Sequence, residues 1–176
     1  MKKLILLIFL SSILNSCKKY DYWKITGKIP SYKNNDTVCF KDTLSEKIDT
    51  FKISTDRGWN EVGTGYVAYY EYLKFYYKKI DQDSTYFLFS ISAVHDGTWM
   101  PTIGQIYYKS TYLEYLSPGG GNDTITINNV TYYKVLIYKD PKIVSKTIPN
   151  KISVNFENGI ISYGFVDGRV YNLVSK

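Results

Sequence analysis

Short stretches of the chain alternate apolar and polar residues, which is the pattern of a half-buried β-strand. Within residues 48–54, Asp49, Phe51 and Ile53 fall on one face, and the residues between them fall on the other. The stretch Tyr86–Val94 alternates in the same way. Its predicted inward-facing residues are Phe87, Phe89, Ile91 and Ala93.

Most of the remaining chain is predicted to form strands separated by turns. Tyr66–Lys79 fits the spacing of a strand or of a helix, and its density of Tyr and Phe favours a long strand. Asp56-Arg57-Gly58 is predicted to be the turn that ends the strand before it. The other predicted strands are Val38–Asp42, Ile103–Tyr108, Thr111–Leu116, Thr124–Asn128, Val130–Lys139, Lys151–Phe156, Ile160–Val166 and Arg169–Val174.

Two dipeptides near the C-terminus, Asn158-Gly159 and Asp167-Gly168, are typical of tight hairpin turns. Asn, Asp and Gly tolerate the positive φ of two-residue type I′ turns, so three strands in a meander are predicted there. The whole pattern predicts an all-β fold with a single antiparallel, meander-rich sheet that is curved, or forms a half-barrel or sandwich. This domain follows an N-terminal signal-peptide helix.

The first residues have the order of a secretory signal peptide. Lys2 and Lys3 precede the apolar run Leu4–Leu10, and the residues after it are smaller and more polar. A helix over residues 4–14 would be roughly 16 Å long, against a hydrocarbon core of about 30 Å, so it is too short to span a membrane alone.

The end of this segment, Leu14-Asn15-Ser16-Cys17, resembles the lipobox of bacterial lipoproteins, although Asn15 departs from the small residues typical of that position. The resemblance implies that the Cys17 thiol receives a diacylglycerol, that the chain is cut before Cys17, and that the new amino group is acylated. The alternative is an ordinary secretory signal with a cysteine nearby. The predicted organisation is a signal peptide at 1–16, a lipidated tether at 17–26 and a β domain at 27–176.

The net charge and the cysteine content bear on two further questions, whether the protein binds nucleic acid and whether it forms a disulfide. The net charge of +6 includes Lys2 and Lys3 of the signal peptide and is otherwise spread along the chain, so no nucleic-acid partner is predicted. The chain has two cysteines. If Cys17 carries lipid, Cys39 has no disulfide partner, and its apolar surroundings favour a buried, unreactive thiol over a reactive one.

Three stretches of the chain combine turn and strand residues: Phe40–Leu44 with Ile48–Phe51, Ile125–Asn128 with Tyr132–Val135, and Asn158–Ile161 with Asp167–Leu173. They resemble short uncharacterised lipoproteins of the phylum Bacteroidota. That family implies a curved antiparallel sheet on a lipid anchor, and it implies no activity. The protein is therefore predicted to be exported and held on the outer membrane, where it faces either the periplasm or the cell surface.

Tyrosine is abundant, with 19 residues in the chain. Tyrosine rings offer flat apolar faces with a hydroxyl group, which suit a sugar ring or a protein partner. The alternative is that they only cover a half-exposed sheet. The residues predicted to form a ligand or partner surface are Tyr70, Tyr72, Tyr76, Tyr107, Tyr112 and Tyr115.

Four positions resemble the O-glycosylation motif of exported Bacteroidota proteins, in which Asp precedes a hydroxyl residue and an apolar residue or Thr follows. They are Thr37, Thr43, Ser84 and Thr124. The competing interpretation is that Asp ends turns and Thr begins strands.

The sequence offers little catalytic chemistry. It has one histidine, His95, whose neighbour Asp96 fits a hairpin turn better than a catalytic pair. Asp81 and Asp83 lack the glycine and distal glutamate of a calcium loop, so no metal and no cofactor are predicted. We expect a non-catalytic protein that binds an envelope protein or glycan or has a structural role in the envelope. The alternative is a small envelope hydrolase that uses carboxylates.

Overall fold

The computed structural model describes residues 21–25, 27–62, 68–81, 85–93, 102–109, 111–116 and 123–175. These ranges contain twelve strands and no helix, which confirms the predicted all-β class. The predicted signal peptide and Cys17 lie outside them. The strands are β1 (Asp21–Trp23), β2 (Thr37–Asp42), β3 (Ile48–Val62), β4 (Ala68–Lys79), β5 (Thr85–Ala93), β6 (Thr102–Tyr108), β7 (Thr111–Leu116), β8 (Asp123–Ile127), β9 (Val130–Lys139), β10 (Lys151–Asn155), β11 (Gly159–Gly164) and β12 (Val170–Ser175).

The strands form one large antiparallel sheet that is not closed. Its order is β7-β6-β5-β4-β3-β2-β12-β11-β10-β9-β8, and every neighbouring pair in this order is consecutive in the chain except β2 with β12. The predicted meander of three C-terminal strands is confirmed by the pairing of β10 with β11 and of β11 with β12. No described segment is a helix of the length and hydropathy that crossing a membrane requires.

Aromatic rings fill the inner face of the curved sheet. The ring of Tyr163, on β11, lies 5.0 Å from that of Phe87 on β5 and 5.3 Å from that of Phe40 on β2. Strands far apart in the sheet order therefore meet across one core. The inward-facing residues predicted for β5 are all buried, namely Phe87, Phe89, Ile91 and Ala93. In β3, the buried face is the one that carries Asp49, Phe51 and Ile53.

β3 is longer than the sequence predicts, and the predicted turn at Asp56-Arg57-Gly58 is wrong. Pairing with β4 continues without interruption to Val62 opposite Ala68. The Tyr72 side chain lies over Gly58. A Cβ atom built at Gly58 would be only 2.6 Å from the Tyr72 hydroxyl oxygen. Glycine here provides space for a cross-strand ring, a role that only the partner strand reveals. The strand predicted over Tyr66–Lys79 is confirmed for the described residues 68–79.

The turns differ in type from those predicted. Asn155 pairs with Gly159, so the loop between β10 and β11 has three residues, and Gly159 has a positive φ of 74° whereas Asn158 does not. Because Asn158 lacks a positive φ, this is not a type I′ turn. The bulge lies further along β11, where the register passes from Ile160 to Ser162 and leaves Ile161 without a partner on β10. Gly168, with a φ of 88°, is the last residue of the three-residue loop between Phe165 and Arg169. The type I′ geometry occurs instead at Asn128-Asn129, where both φ angles are positive, 50° and 63°.

The first described strand lies inside the predicted tether. β1 pairs in parallel with Ala68–Tyr70 of β4. β3 pairs along one edge of β4 for its whole length, whereas β5 pairs only with Tyr72–Lys78 on the other edge. β1 therefore occupies the part of that second edge that β5 leaves free, and it attaches the start of the described chain to the sheet.

Candidate functional site

Four of the predicted surface tyrosines lie on the outer face of the sheet. In β4, Tyr70, Tyr72 and Tyr76 are half-buried and alternate with fully buried residues that face the core. Tyr76 is the cross-strand partner of Leu88, and Leu88 is the partner of Tyr107 on β6. Residues directly opposite each other on neighbouring strands share a face, so these side chains form one surface.

A groove with a volume of about 230 Å³ lies on this face. It is smaller than the pockets of about 300–1,000 Å³ that enclose a drug-sized molecule, so a ligand would rest in it only in part. Ser90 and Ser92 of β5 are small and leave room between the larger side chains of β4 and β6. The lining residues are Asn60, Tyr70, Tyr72, Lys74, Leu88, Ser90, Ser92 and Tyr107.

The groove combines ring faces with polar groups. The Asn60 side-chain amide donates a hydrogen bond of 3.0 Å to the Tyr70 hydroxyl. The Lys74 ammonium lies 4.8 Å from the centre of the Tyr72 ring, within cation–π range. Next to it, burial raises the pKa of Tyr76, and Asp56 and Tyr72 raise it further, so this hydroxyl is neutral at physiological pH. The surface can therefore stack a flat apolar ligand and hydrogen-bond its edges.

Backbone register places the remaining two predicted tyrosines on the neighbouring strand. Tyr112 of β7 is opposite Tyr107, and Tyr115 is opposite Gln105. Their side chains lie outside the described part of the structure. The groove itself contains three of the six predicted tyrosines, Tyr70, Tyr72 and Tyr107.

Sequence reasoning missed the polar part of the groove. Asn60 was outside any predicted strand because β3 was expected to end near Ser54. Ser90 and Ser92 did carry a signal, since they alternate with the core residues of β5 and so belong to its outer face. Lys74 shares the outer face with the predicted tyrosines for the same reason.

The predicted glycosylation positions are exposed where the structure describes them. Thr37 begins β2, Thr43 lies in the turn after β2, and Thr124 lies in β8 at one end of the sheet. Ser84 lies outside the described residues. Exposure is a requirement for modification and does not distinguish it from the turn-and-strand alternative, so glycosylation stays a prediction.

Each buried carboxylate of the described residues has a donor close by. Asp42 accepts hydrogen bonds from the Ser45 hydroxyl at 2.5 Å and the Leu44 amide at 3.2 Å, and the Ser45 bond lowers the pKa of Asp42. Asp49 lies 2.8 Å from the Lys79 ammonium. No group of three metal-binding side chains occurs within the described ranges, and His95 and Asp83 lie outside them. The hydrolase alternative stays a prediction without geometric support.

Comparison with known proteins adds no assignment: no family model, curated protein or solved structure matches this chain. Support for a function therefore comes from the outer-face groove and from the N-terminal sequence.

Gly58→Ala is expected to displace the Tyr72 ring at little cost in stability. The new methyl group would meet the free end of the tyrosine side chain, which can rotate away. We expect the free energy of unfolding to change by less than about 1 kcal/mol. The Tyr72 ring resonances in an NMR spectrum should shift, whereas Gly164→Ala, which meets only ordinary contacts at 3.5 Å or more, should leave them in place. Unshifted Tyr72 resonances in Gly58→Ala would contradict this packing.

Proposed function

We propose that this chain is an exported lipoprotein, held on the outer membrane by acyl chains on Cys17, and that it binds glycan in the outer-face groove. The main support for the binding proposal is the grouping of Tyr70, Tyr72 and Tyr107 around a groove whose floor is formed by Ser90 and Ser92. A lipid anchor would hold this binding surface in the cell envelope.

The chemistry of the groove matches that of a sugar ring. A pyranose has an apolar face of C–H groups and a rim of hydroxyl groups, so it needs an aromatic platform and several short polar partners. The groove supplies the tyrosine rings, the amide of Asn60, the ammonium of Lys74 and the hydroxyls of Ser90 and Ser92. Its shallow shape suits one segment of a longer chain better than an enclosed small molecule.

The anchoring proposal is supported by the lipobox resemblance and by the energetics of lipidation. Each buried methylene contributes about 0.8 kcal/mol, and two or more acyl chains hold a protein stably on a bilayer where one does not. The diacylglycerol and amide-linked chain implied for Cys17 satisfy that condition.

The glycan proposal is tested by saturation-transfer NMR and calorimetry with the purified protein. The probes are short soluble oligosaccharides of glucose, galactose, mannose and N-acetylglucosamine. Tyr72→Ala is expected to weaken binding at least about fivefold, because one stacked ring contributes roughly 1 kcal/mol beyond its area. Tyr133→Ala, which removes a ring that is 67% exposed on β9, is the control and should bind as the wild type does.

Two results would contradict glycan binding at this groove. One is the absence of saturation transfer to every probe. The other is binding that Tyr72→Ala leaves unchanged, which would place the sugar elsewhere. Capture of an envelope protein that depends on the Tyr72 ring, with no sugar binding, would assign the surface to a protein partner.

A further inference from the structure

Three aromatic side chains form a small cluster at the end of the β3–β4 hairpin, close to the start of the described chain. The ring of Tyr22, on β1, is stacked 5.3 Å from that of Tyr69 on β4. The same Tyr22 ring meets that of Trp59, on β3, edge-on at 5.5 Å. These three residues are called the N-terminal aromatic cluster.

The N-terminal aromatic cluster is exposed although its rings are large. Tyr22 is 59% exposed and Trp59 is 43% exposed, because this end of the hairpin extends beyond the core. Along the inward-facing positions of β3, exposure rises from the buried Ile53 to the exposed Arg57 and Trp59. Grouped aromatic exposure of this kind marks an interaction surface more often than scattered single residues do.

The cluster is fixed in position relative to β4. The main-chain amide of Ile25 donates a hydrogen bond of 3.0 Å to Glu71, whose other carboxylate oxygen lies 2.6 Å from the Arg57 guanidinium. Glu71 is only 6% exposed, so its carboxylate is shielded from water, whereas the Arg57 side chain that pairs with it is exposed. Together with the pairing of β1 and β4, it holds Tyr22 beside Trp59.

Asp21 is four positions after Cys17 in the chain, so the two Cα atoms are at most about 14 Å apart in any conformation. Lipid on Cys17 would therefore bring the cluster to within about one headgroup layer of the bilayer. Trp and Tyr favour that layer, because one end of each side chain is apolar and the other forms hydrogen bonds.

We propose that the N-terminal aromatic cluster rests on the lipid headgroups of the membrane that carries the anchor, and so fixes the orientation of the β domain. This inference depends on the proposed lipidation of Cys17. The charges around the cluster are mixed: Asp21 and Glu61 are exposed acids, and the Arg57 guanidinium is already paired with Glu71. Contact through the rings should therefore be insensitive to salt, unlike attraction to anionic lipid.

The test uses the lipidated protein, purified from membranes and reconstituted into phosphatidylcholine vesicles that carry bromine on their acyl chains as a fluorescence quencher. Trp23→Phe with Trp99→Phe leaves Trp59 as the single reporter, since the chain has three tryptophans. Trp59 is expected to lose roughly half of its emission, with bromine near the headgroups more effective than bromine near the chain ends. High salt should leave that loss unchanged.

A matched control moves the reporter to the opposite end of β4. Ile80→Trp, combined with Trp59→Phe in the same background, places it at a position that is 61% exposed and roughly 35 Å along the strand from Tyr69. This variant should show no quenching. Should the reporter variants unfold, the difference in quenching between the wild type and Trp59→Phe gives the same information.

The outcomes separate the two proposals. A lipidated protein whose Trp59 is quenched no more than the control would overturn membrane docking and leave the anchor intact. Wild-type protein that comes from cells with no lipid on Cys17 would overturn both the anchor and the docking that depends on it.

Discussion

Tyr163→Ala is expected to lower the free energy of unfolding by about 3–5 kcal/mol, the range for removing a buried aromatic ring. Tyr163 is only 1% exposed. Its ring is stacked 4.9 Å from that of Tyr171 and contacts rings from β2, β3 and β5 across the core. Domains are stable by about 5–15 kcal/mol in total, so a single substitution of this size removes a large share of the stability. Urea denaturation followed by circular dichroism measures the change.

Two further variants separate ring packing from hydrogen bonding. Tyr163→Phe keeps the ring but removes the hydroxyl that donates to Asp49 at 3.1 Å, and we expect a loss of about 1–3 kcal/mol. Tyr133→Ala should stay within about 0.5 kcal/mol of the wild type, as exposed substitutions do. If Tyr163→Ala destabilised no more than Tyr163→Phe, the ring would not be the centre of the core.

Stability is expected to fall steeply above pH 10. Burial is the main cause of the raised pKa values of Tyr32, Tyr77, Tyr108 and Tyr163, which all lie above the ordinary value of 10.0. Above that pH the unfolded chain loses these protons while the folded chain keeps them, so rising pH favours unfolding. Each such tyrosine contributes a slope of up to about 1.4 kcal/mol per pH unit, and below pH 10 the full stability is present.

The alkaline transition is measured by urea denaturation at a series of pH values, together with the absorbance of ionised tyrosine. Tyr32, Tyr77, Tyr108 and Tyr163 should ionise in a cooperative step that coincides with unfolding, because burial raises the pKa of each in the folded chain. Tyr163→Phe should reduce the slope of stability with pH. Ionisation of every tyrosine in one smooth step, with the fold intact, would contradict the burial of these rings.

Much of the fold follows from local patterns in the sequence. Alternation separated the two faces of β3 and identified the core face of β5, because successive side chains of a strand point to opposite faces and one face is buried. The length of β3 did not follow, because Arg57 and Gly58 suggest a turn until β4 supplies Glu71 and Tyr72 as partners. The prediction of the turn types was wrong for a related reason. Glycine indicates a positive φ, but the strand register decides how many residues the loop contains.

The sequence predicts the tyrosines that line the groove but not the shape of the groove. An excess of Tyr at alternating positions of β4 predicts an aromatic surface, and Tyr70 and Tyr72 do line the groove. The opposing wall, Tyr107, and the serine floor come together through the pairing of β4, β5 and β6, which no local pattern encodes. A groove between strands is a property of register, so its volume and lining needed the structure.

Mass spectrometry of the N-terminal peptide, from protein purified out of membranes, tests most directly whether this chain is a lipoprotein. The peptide is expected to begin at Cys17 and to carry the mass of a diacylglycerol and an amide-linked acyl chain. Cys17→Ser should abolish this modification and leave the protein in the soluble fraction. An unmodified peptide at Cys17, or a Cys17→Ser protein that still sediments with membranes, would contradict the lipid anchor.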